Sequence, residues 1–293
     1  MGRLSEELSA GPARIRVDIV GPDLPEHVLD NMDFLAYRIA QIRTEPDVLL
    51  DVPDIEWDRN PAASTVSWDG HTMRFGGGWA SGPLQKAMVT LLALRLEDHG
   101  LHPFHSAAVH YRDRTVLFLG GESNHGKSMC QIEACRRGGL LVSTETTVID
   151  EQGVAVLGSK TVFLKSRAKG TERADKASPD RGAEKFFGEM PTWDDYEGPT
   201  GVGVVVVPSI DGNFETSTVE MIPFEKQYQA FHSMQNYFLL NELLAPGLPI
   251  PVVDTGESRL RRADFARRFC ERPFFLIRAA TPQLLLDETD GIL

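Results

Sequence analysis

Residues 115–138 read Thr-Val-Leu-Phe-Leu-Gly-Gly-Glu-Ser-Asn-His-Gly-Lys-Ser-Met-Cys-Gln-Ile-Glu-Ala-Cys-Arg-Arg-Gly. Gly121, Gly126, Lys127 and Ser128 stand at the spacing G-x-x-x-x-G-K-[ST]. Small residues at those positions let backbone N–H groups curl around phosphate oxygens, and the helix that follows adds its positive end. Lys127 then supplies a charge for the β- and γ-phosphates of a nucleotide, and Ser128 a hydroxyl for Mg²⁺. The flanks agree with this reading. Thr115 to Leu119 is a short apolar run of strand type, and Met129 to Arg137 has a helical pattern stopped by Gly138 and Gly139. The candidate nucleotide-binding residues are Gly121, Glu122, Ser123, Asn124, His125, Gly126, Lys127, Ser128 and Met129.

The chain has 293 residues and a net charge of −12, which argues against broad binding to nucleic acid or to an anionic membrane. No apolar run reaches the ~20 residues that span a bilayer. The N-terminal residues lack an apolar signal core, so the expected compartment is the cytoplasm. The three cysteines, Cys130, Cys135 and Cys270, form no C-x-x-C pair and read as packing residues.

Around this stretch the chain alternates between strand and helix patterns. Residues 1–12 look polar and frayed. Ile15, Val17 and Ile19 share one face of a strand, Glu26 to Ile42 has helical spacing, and Val48 to Val52 reads as a strand. Asp69-Gly70 marks a hairpin within Thr65 to Phe75. Leu84 to His99 is an amphipathic helix ended by Gly100. These elements make a mixed α+β lobe over 1–100, ahead of an α/β core over 101–293.

Three of the eight histidines, His102, His105 and His110, fall within ten residues at the start of that core. Lys165 to Arg181 holds six basic and three acidic residues without an apolar stripe. It is either a solvated loop or a cationic loop that closes over phosphates. Gly203 to Val207 reads as a doubly buried strand that Pro208 ends, with Asp211 beyond it as an alternative metal ligand. Helical patterns follow at Glu225 to Leu244 and Ser258 to Phe269. The latter carries Arg259, Arg261, Arg262, Arg267 and Arg268 as a solvated face from which one arginine reaches a phosphate. Phe274 to Arg278 is a late strand, and a last helix begins at Pro282.

The run from His105 to Glu145 resembles the C-terminal kinase domain of HPr kinase/phosphorylase and its relatives, including kinases of lasso-peptide gene clusters. That fold is shared more distantly with ATP-dependent phosphoenolpyruvate carboxykinase. The matching pieces are His105-Ser-Ala-Ala-Val, Val116-Leu-Phe-Leu-Gly-Gly, Gly126-Lys127-Ser128, Arg136-Arg137-Gly138 and Ser143-Thr144-Glu145. The resemblance implies a phosphate-loop kinase core over 101–293. It also implies ATP and Mg²⁺ as cofactors, and transfer of the γ-phosphoryl group to a hydroxyl of a peptide, a protein or a small molecule. In such kinases two adjacent acids follow the loop. The first takes the acceptor proton and the second helps to hold Mg²⁺. Here Thr144 stands at the first position and Glu145 at the second. Glu145 is therefore expected to serve as metal ligand with Ser128 and also as base, with Asp150 as a reserve carboxylate, and an aspartate at 144 would be tolerated. His105 is expected beside the transferred phosphate, with Lys127 completing the catalytic set. Lys165, Arg167 and Lys169 are the candidate acceptor contacts. Two other readings stay open: a nucleotide-binding module that does not catalyse, and a nucleotide hydrolase using Asp211. A homo-oligomer is compatible with either.

Overall fold

In the computed structural model, which describes residues 2–29, 31–120, 125–167, 183–189, 193–210, 212, 215–238 and 252–293, Gly11 turns the chain back with φ +58. It joins two antiparallel strands, β1 (Gly2–Ala10) and β2 (Ala13–Gly21). After α1 (Asp33–Arg38) come β3 (Arg43–Glu45), β4 (Ile55–Asp58), β5 (Thr65–Trp68), β6 (Met73–Gly76) and helix α2 (Ser81–Asp98). Their sheet has the order β3-β1-β2-β4-β6-β5. The β2–β4 and β4–β6 pairs are parallel and the others antiparallel. Ile15, Val17 and Ile19 are fully buried under α2, as their alternation predicts.

Three expectations for this part fail, and two neighbouring side chains account for much of the difference. Residues 2–10 form a strand rather than a frayed end. Its core face, Leu4, Leu8 and Ala10, is interrupted by Glu6, while Glu7 on the opposite face is fully buried under the segment that follows β3. The Glu7 carboxylate accepts the backbone N–H groups of Leu49 and Leu50, and Arg16 Nη1 donates to the carbonyls of Leu50 and Asp51. The segment 48–52 is thereby tied down as an irregular loop, not a strand. The expected helix over Glu26 to Ile42 shrinks to α1. The Val28 N–H is taken by Glu6 Oε2 at 2.8 Å, and Asn31 accepts the Asp33 N–H, so the chain enters the helix late.

The second sheet begins where α2 ends. Its chain order is β7 (Leu101–Tyr111), β8 (Arg114–Leu119), α3 (Lys127–Arg136), β9 (Leu140–Ser143), β10 (Thr146–Asp150) and β11 (Val154–Gly158). Then follow β12 (Thr161–Arg167), β13 (Ala183–Glu189), β14 (Thr200–Ile210), β15 (Ser217–Glu220), α4 (Pro223–Gln235), α5 (Gly256–Phe269), β16 (Phe274–Ala279) and α6 (Pro282–Ile292). The order in space is β11-β10-β7-β8-β14-β16-β15, with β9 also on β7, while β12 and β13 pair as a separate ribbon. β14 is parallel to β8 and β16. Pro208 does not end β14. The Val205 N–H bonds toward β16 at Pro273 O, so by alternation the missing N–H of Pro208 falls on the opposite side. There the pairing with β8 has already stopped at Val206. The molecule is thus a mixed α/β fold with two mixed sheets and, among the described residues, six helices.

The two sheets share apolar contacts. Val148, Tyr237, Phe238 and Val253 belong to the same buried cluster as Leu92, Leu96 and the face of the first sheet. A buried ion network crosses the same boundary and corrects the reading of the arginine-rich helix. Arg259, Arg261, Arg267 and Arg268 are exposed on α5, whereas Arg262 is fully buried. Its guanidinium donates twice to Glu97, both at 2.6 Å, reaches Asp254 at 3.2 and 3.3 Å, and covers the Phe238 ring at 3.9 Å. It is engaged by carboxylates rather than directed at a phosphate.

Removing one member of such a pair strands the other charge away from water. Arg262→Met should therefore lower the unfolding free energy by about 3–5 kcal/mol in urea titration. A second change, Glu97→Gln, should restore part of that loss. A loss below about 1 kcal/mol would show that the network does not join the sheets energetically.

Candidate functional site

The strand–loop–helix frame read from the sequence is present on both flanks of the loop: β8 leads to Gly120 and α3 starts at Lys127. Gly121, Glu122, Ser123 and Asn124 lie outside the described residues. At the helix start Gly126 adopts φ +105. A Cβ there would lie 2.7 Å from Ile210 Cδ1, so glycine is required both by conformation and by contact with β14. The His125 carbonyl accepts the Ile210 N–H at 3.2 Å, which fastens the end of the loop to the end of that strand. Lys127 turns inward, is buried, and donates from Nζ to the Gly120 carbonyl at 2.9 Å. Ser128 and Met129 are exposed on the first turn of α3.

β7 and β10 pair with His105 opposite Thr146, which brings Glu145, at the bend before β10, next to His105. The bend is pinned by Ser159, whose hydroxyl oxygen accepts the N–H groups of Glu145 at 3.2 Å and Thr146 at 2.9 Å. The Ser106 N–H donates to the Glu145 carbonyl at 3.0 Å. His105 is held from behind by the Ser233 hydroxyl of α4, which donates to its carbonyl at 3.0 Å. The Glu145 carboxylate then sits 2.9 Å from His105 Nδ1, off the ideal hydrogen-bond direction, and 3.3 Å from Arg38 Nη1. The Tyr37 hydroxyl hydrogen-bonds the same carboxylate. Three residues named from the sequence, His105, Lys127 and Glu145, are thus brought together in one buried cluster.

The charges in this cluster act on one another. Burial pushes the Glu145 carboxyl upward, but His105, Arg38 and Lys127 outweigh it and hold the group at about 2. Burial lowers His105 below the ordinary imidazole range, opposed by Glu145 and assisted by Lys127 and Arg38. Burial also lowers Lys127, against the attraction of Glu145.

Thr144 and the reserve carboxylate Asp150 both have structural partners. Thr144 is buried, and its hydroxyl faces the carbonyl oxygens of Ser159 at 3.0 Å and Thr161 at 2.7 Å. Asp150 sits at the far end of β10 and accepts the N–H groups of Gln152 and Val154, as a turn residue does. Lys165 and Arg167 lie on β12, in register with Lys185 and Ala183 of β13. Lys169 and the rest of the basic stretch through Arg181, like Asp211, lie outside the described residues.

The sequence reading missed Arg38, Tyr37, Asn236 and Tyr237. Arg38 Nη2 donates to Asn236 Oδ1 at 2.6 Å, and its guanidinium lies 5.0 Å from the Tyr237 ring centre. Thr146 donates its hydroxyl to the Arg38 carbonyl at 2.7 Å and accepts from the Tyr237 hydroxyl at 2.7 Å. No local motif marks these residues. The only available signal was an arginine at the end of an apolar pattern far from the loop.

Among the described residues no three His, Cys, Asp or Glu side chains converge. Mg²⁺ commonly takes one or two protein oxygens and completes its shell with phosphate and water; the oxygen donors offered here are Glu145, buried against Arg38 and His105, and Ser128, exposed on α3. No protein-family model matches the chain, and no curated protein matches it significantly.

The surroundings of Thr144 reverse the expectation that an acid is welcome there. Thr144→Asp places a carboxylate against two carbonyl oxygens and should cost roughly 1–3 kcal/mol of stability, whereas Thr144→Ser should stay near wild type. Thermal unfolding of both variants tests this. Wild-type stability in Thr144→Asp would mean that the hydroxyl is not committed to those carbonyls.

Proposed function

We propose that the protein is an ATP- and Mg²⁺-dependent kinase that transfers the γ-phosphoryl group to a hydroxyl acceptor, on a phosphate-loop core of the HPr kinase type. The observation that carries this reading is the meeting of His105, Lys127 and Glu145 in one buried cluster beside the start of α3. Lys127 and the backbone N–H groups of the first turn of α3 would receive the β- and γ-phosphates. Bound Mg²⁺ would neutralise phosphate charge, held through Ser128 and Glu145.

The acid–base work divides between His105 and Glu145. A carboxylate held at about 2 is a weak base. Glu145 instead fixes the imidazole through Nδ1, which leaves Nε2 as the nitrogen that receives the acceptor proton. This arrangement supplies an acceptor for the proton even though Thr144 occupies the position of the family's first acid. Phosphoryl transfer depends mainly on positioning and charge, so it tolerates a modest base. Lys165, Arg167 and Lys169 remain the proposed contacts to the acceptor.

The non-catalytic nucleotide-binding reading is the second one, and Thr144 favours it, because its hydroxyl is spent on carbonyls.

Transfer of label from γ-labelled ATP to a panel of serine peptides, amino acids and sugars separates the readings. Wild type should label an acceptor. Lys127→Ala should lose ATP affinity and turnover together. Glu145→Gln and His105→Asn should each lower turnover by on the order of 10²-fold while ATP binding falls less. Unchanged affinity and turnover in a folded Lys127→Ala protein would refute the proposal. Binding without turnover in wild type would select the second reading, and phosphate release without an acceptor a hydrolase.

A further inference from the structure

Arg38 is fixed from several sides. Nη1 lies 3.3 Å from Glu145 Oε1 and Nη2 donates to Asn236 at 2.6 Å. Its carbonyl accepts from Thr146, and Tyr237 both underlies the guanidinium and donates to the same Thr146 hydroxyl. The residue is 9% exposed. It comes from α1, well ahead of the strand–loop–helix frame and 107 residues before Glu145, while every other charged member of the cluster comes from β7, α3 or the bend before β10. Simple neutralisation of Glu145 would need only one cation, and Lys127 is already there. The planar fork does more. It spans the distance between Glu145 and Asn236, and so sets where the carboxylate stands relative to His105.

We infer that Arg38 is a positioning residue for phosphoryl transfer, so that the segment before residue 100 completes the candidate catalytic cluster. The inference rests on the kinase reading. Arg38 holds the carboxylate, the carboxylate holds His105, and Lys127 with the start of α3 holds the nucleotide independently of both. Loss of Arg38 therefore disturbs the chemical step and spares nucleotide binding. Arg38 also lines a small open pocket, together with Phe34, Lys86, Thr90, Asn236 and Tyr237. Truncating its side chain leaves beside that pocket a space of the shape of the guanidinium removed, which a small planar cation can refill.

The experiment compares the full-length wild-type, Arg38→Ala and Arg38→Lys proteins, with circular dichroism to establish folding. In Arg38→Ala kcat should fall on the order of 10²-fold and KM for ATP should stay within about twofold. Added guanidinium chloride at low millimolar concentration should restore kcat several-fold, and sodium chloride at equal ionic strength should not. Arg38→Lys should fall between the two and carries the kcat-against-KM test if Arg38→Ala does not fold. Wild-type kcat in a folded variant overturns the inference, as does an equal loss in kcat and ATP affinity that guanidinium does not repair. A wild-type protein that binds ATP without any turnover overturns the kinase reading itself, and is recognised before any variant is made.

Discussion

A carboxylate taken out of water must be met by charge and by hydrogen bonds, or the fold that buries it is lost. Glu145, 6% exposed, sets that requirement at the centre of the molecule. The residues that answer it arrive from α1, from β7 and from the first turn of α3. Each of those elements is placed by packing of its own: α1 by helix α2 and the β12–β13 ribbon, β7 by its neighbours β8 and β10, and α3 by the contact of Gly126 with β14. The cluster is therefore a point where the two sheets have to agree. Because His105, Arg38 and Lys127 together hold the carboxylate ionised, the site keeps a fixed arrangement of charges away from water, the setting in which the proposed phosphoryl transfer would be stabilised.

The ion network at Arg262 follows the same rule at the other end of α2. Glu97 belongs to the helix that packs on the first sheet, and Arg262 and Asp254 belong to the chain beyond β15. With the shared apolar cluster around Tyr237 and Phe238, this network makes it unsurprising that a residue as early as Arg38 reaches Glu145. The segments meet because buried charges and apolar surface hold them together, whatever the order in which the chain visits them.

The stretch from Leu84 to Ala279 held the more legible part. Apolar runs and glycine stops marked α2, β7, β8, α3, β14 and β16, the loop spacing drew attention to Lys127, and the resemblance pointed to His105 and Glu145. What stayed hidden had a common cause. Polar side chains that turn inward erase the patterns on which such reading relies. Glu6 broke the apolar face of β1 and also shortened α1, while Glu7 tied down the segment 48–52. Pro208 looked like a strand end because the side to which its N–H would point could not be known. Arg262 looked like part of a solvated face, and Thr144 looked like a missing acid rather than a hydroxyl committed to two carbonyls. Arg38 had no local signature at all, since its role is defined by groups more than a hundred residues away.

The central claim is that this cluster faces the terminal phosphate of a nucleotide. The most direct measurement is a crystal structure with a non-hydrolysable ATP analogue and Mg²⁺. The account predicts that Lys127 Nζ leaves the Gly120 carbonyl and lies about 3 Å from a γ-phosphate oxygen, with the His105 ring next to the same phosphate and Glu145 still against Arg38. An analogue bound elsewhere, or bound here with its terminal phosphate turned away from Lys127 and His105, would contradict it.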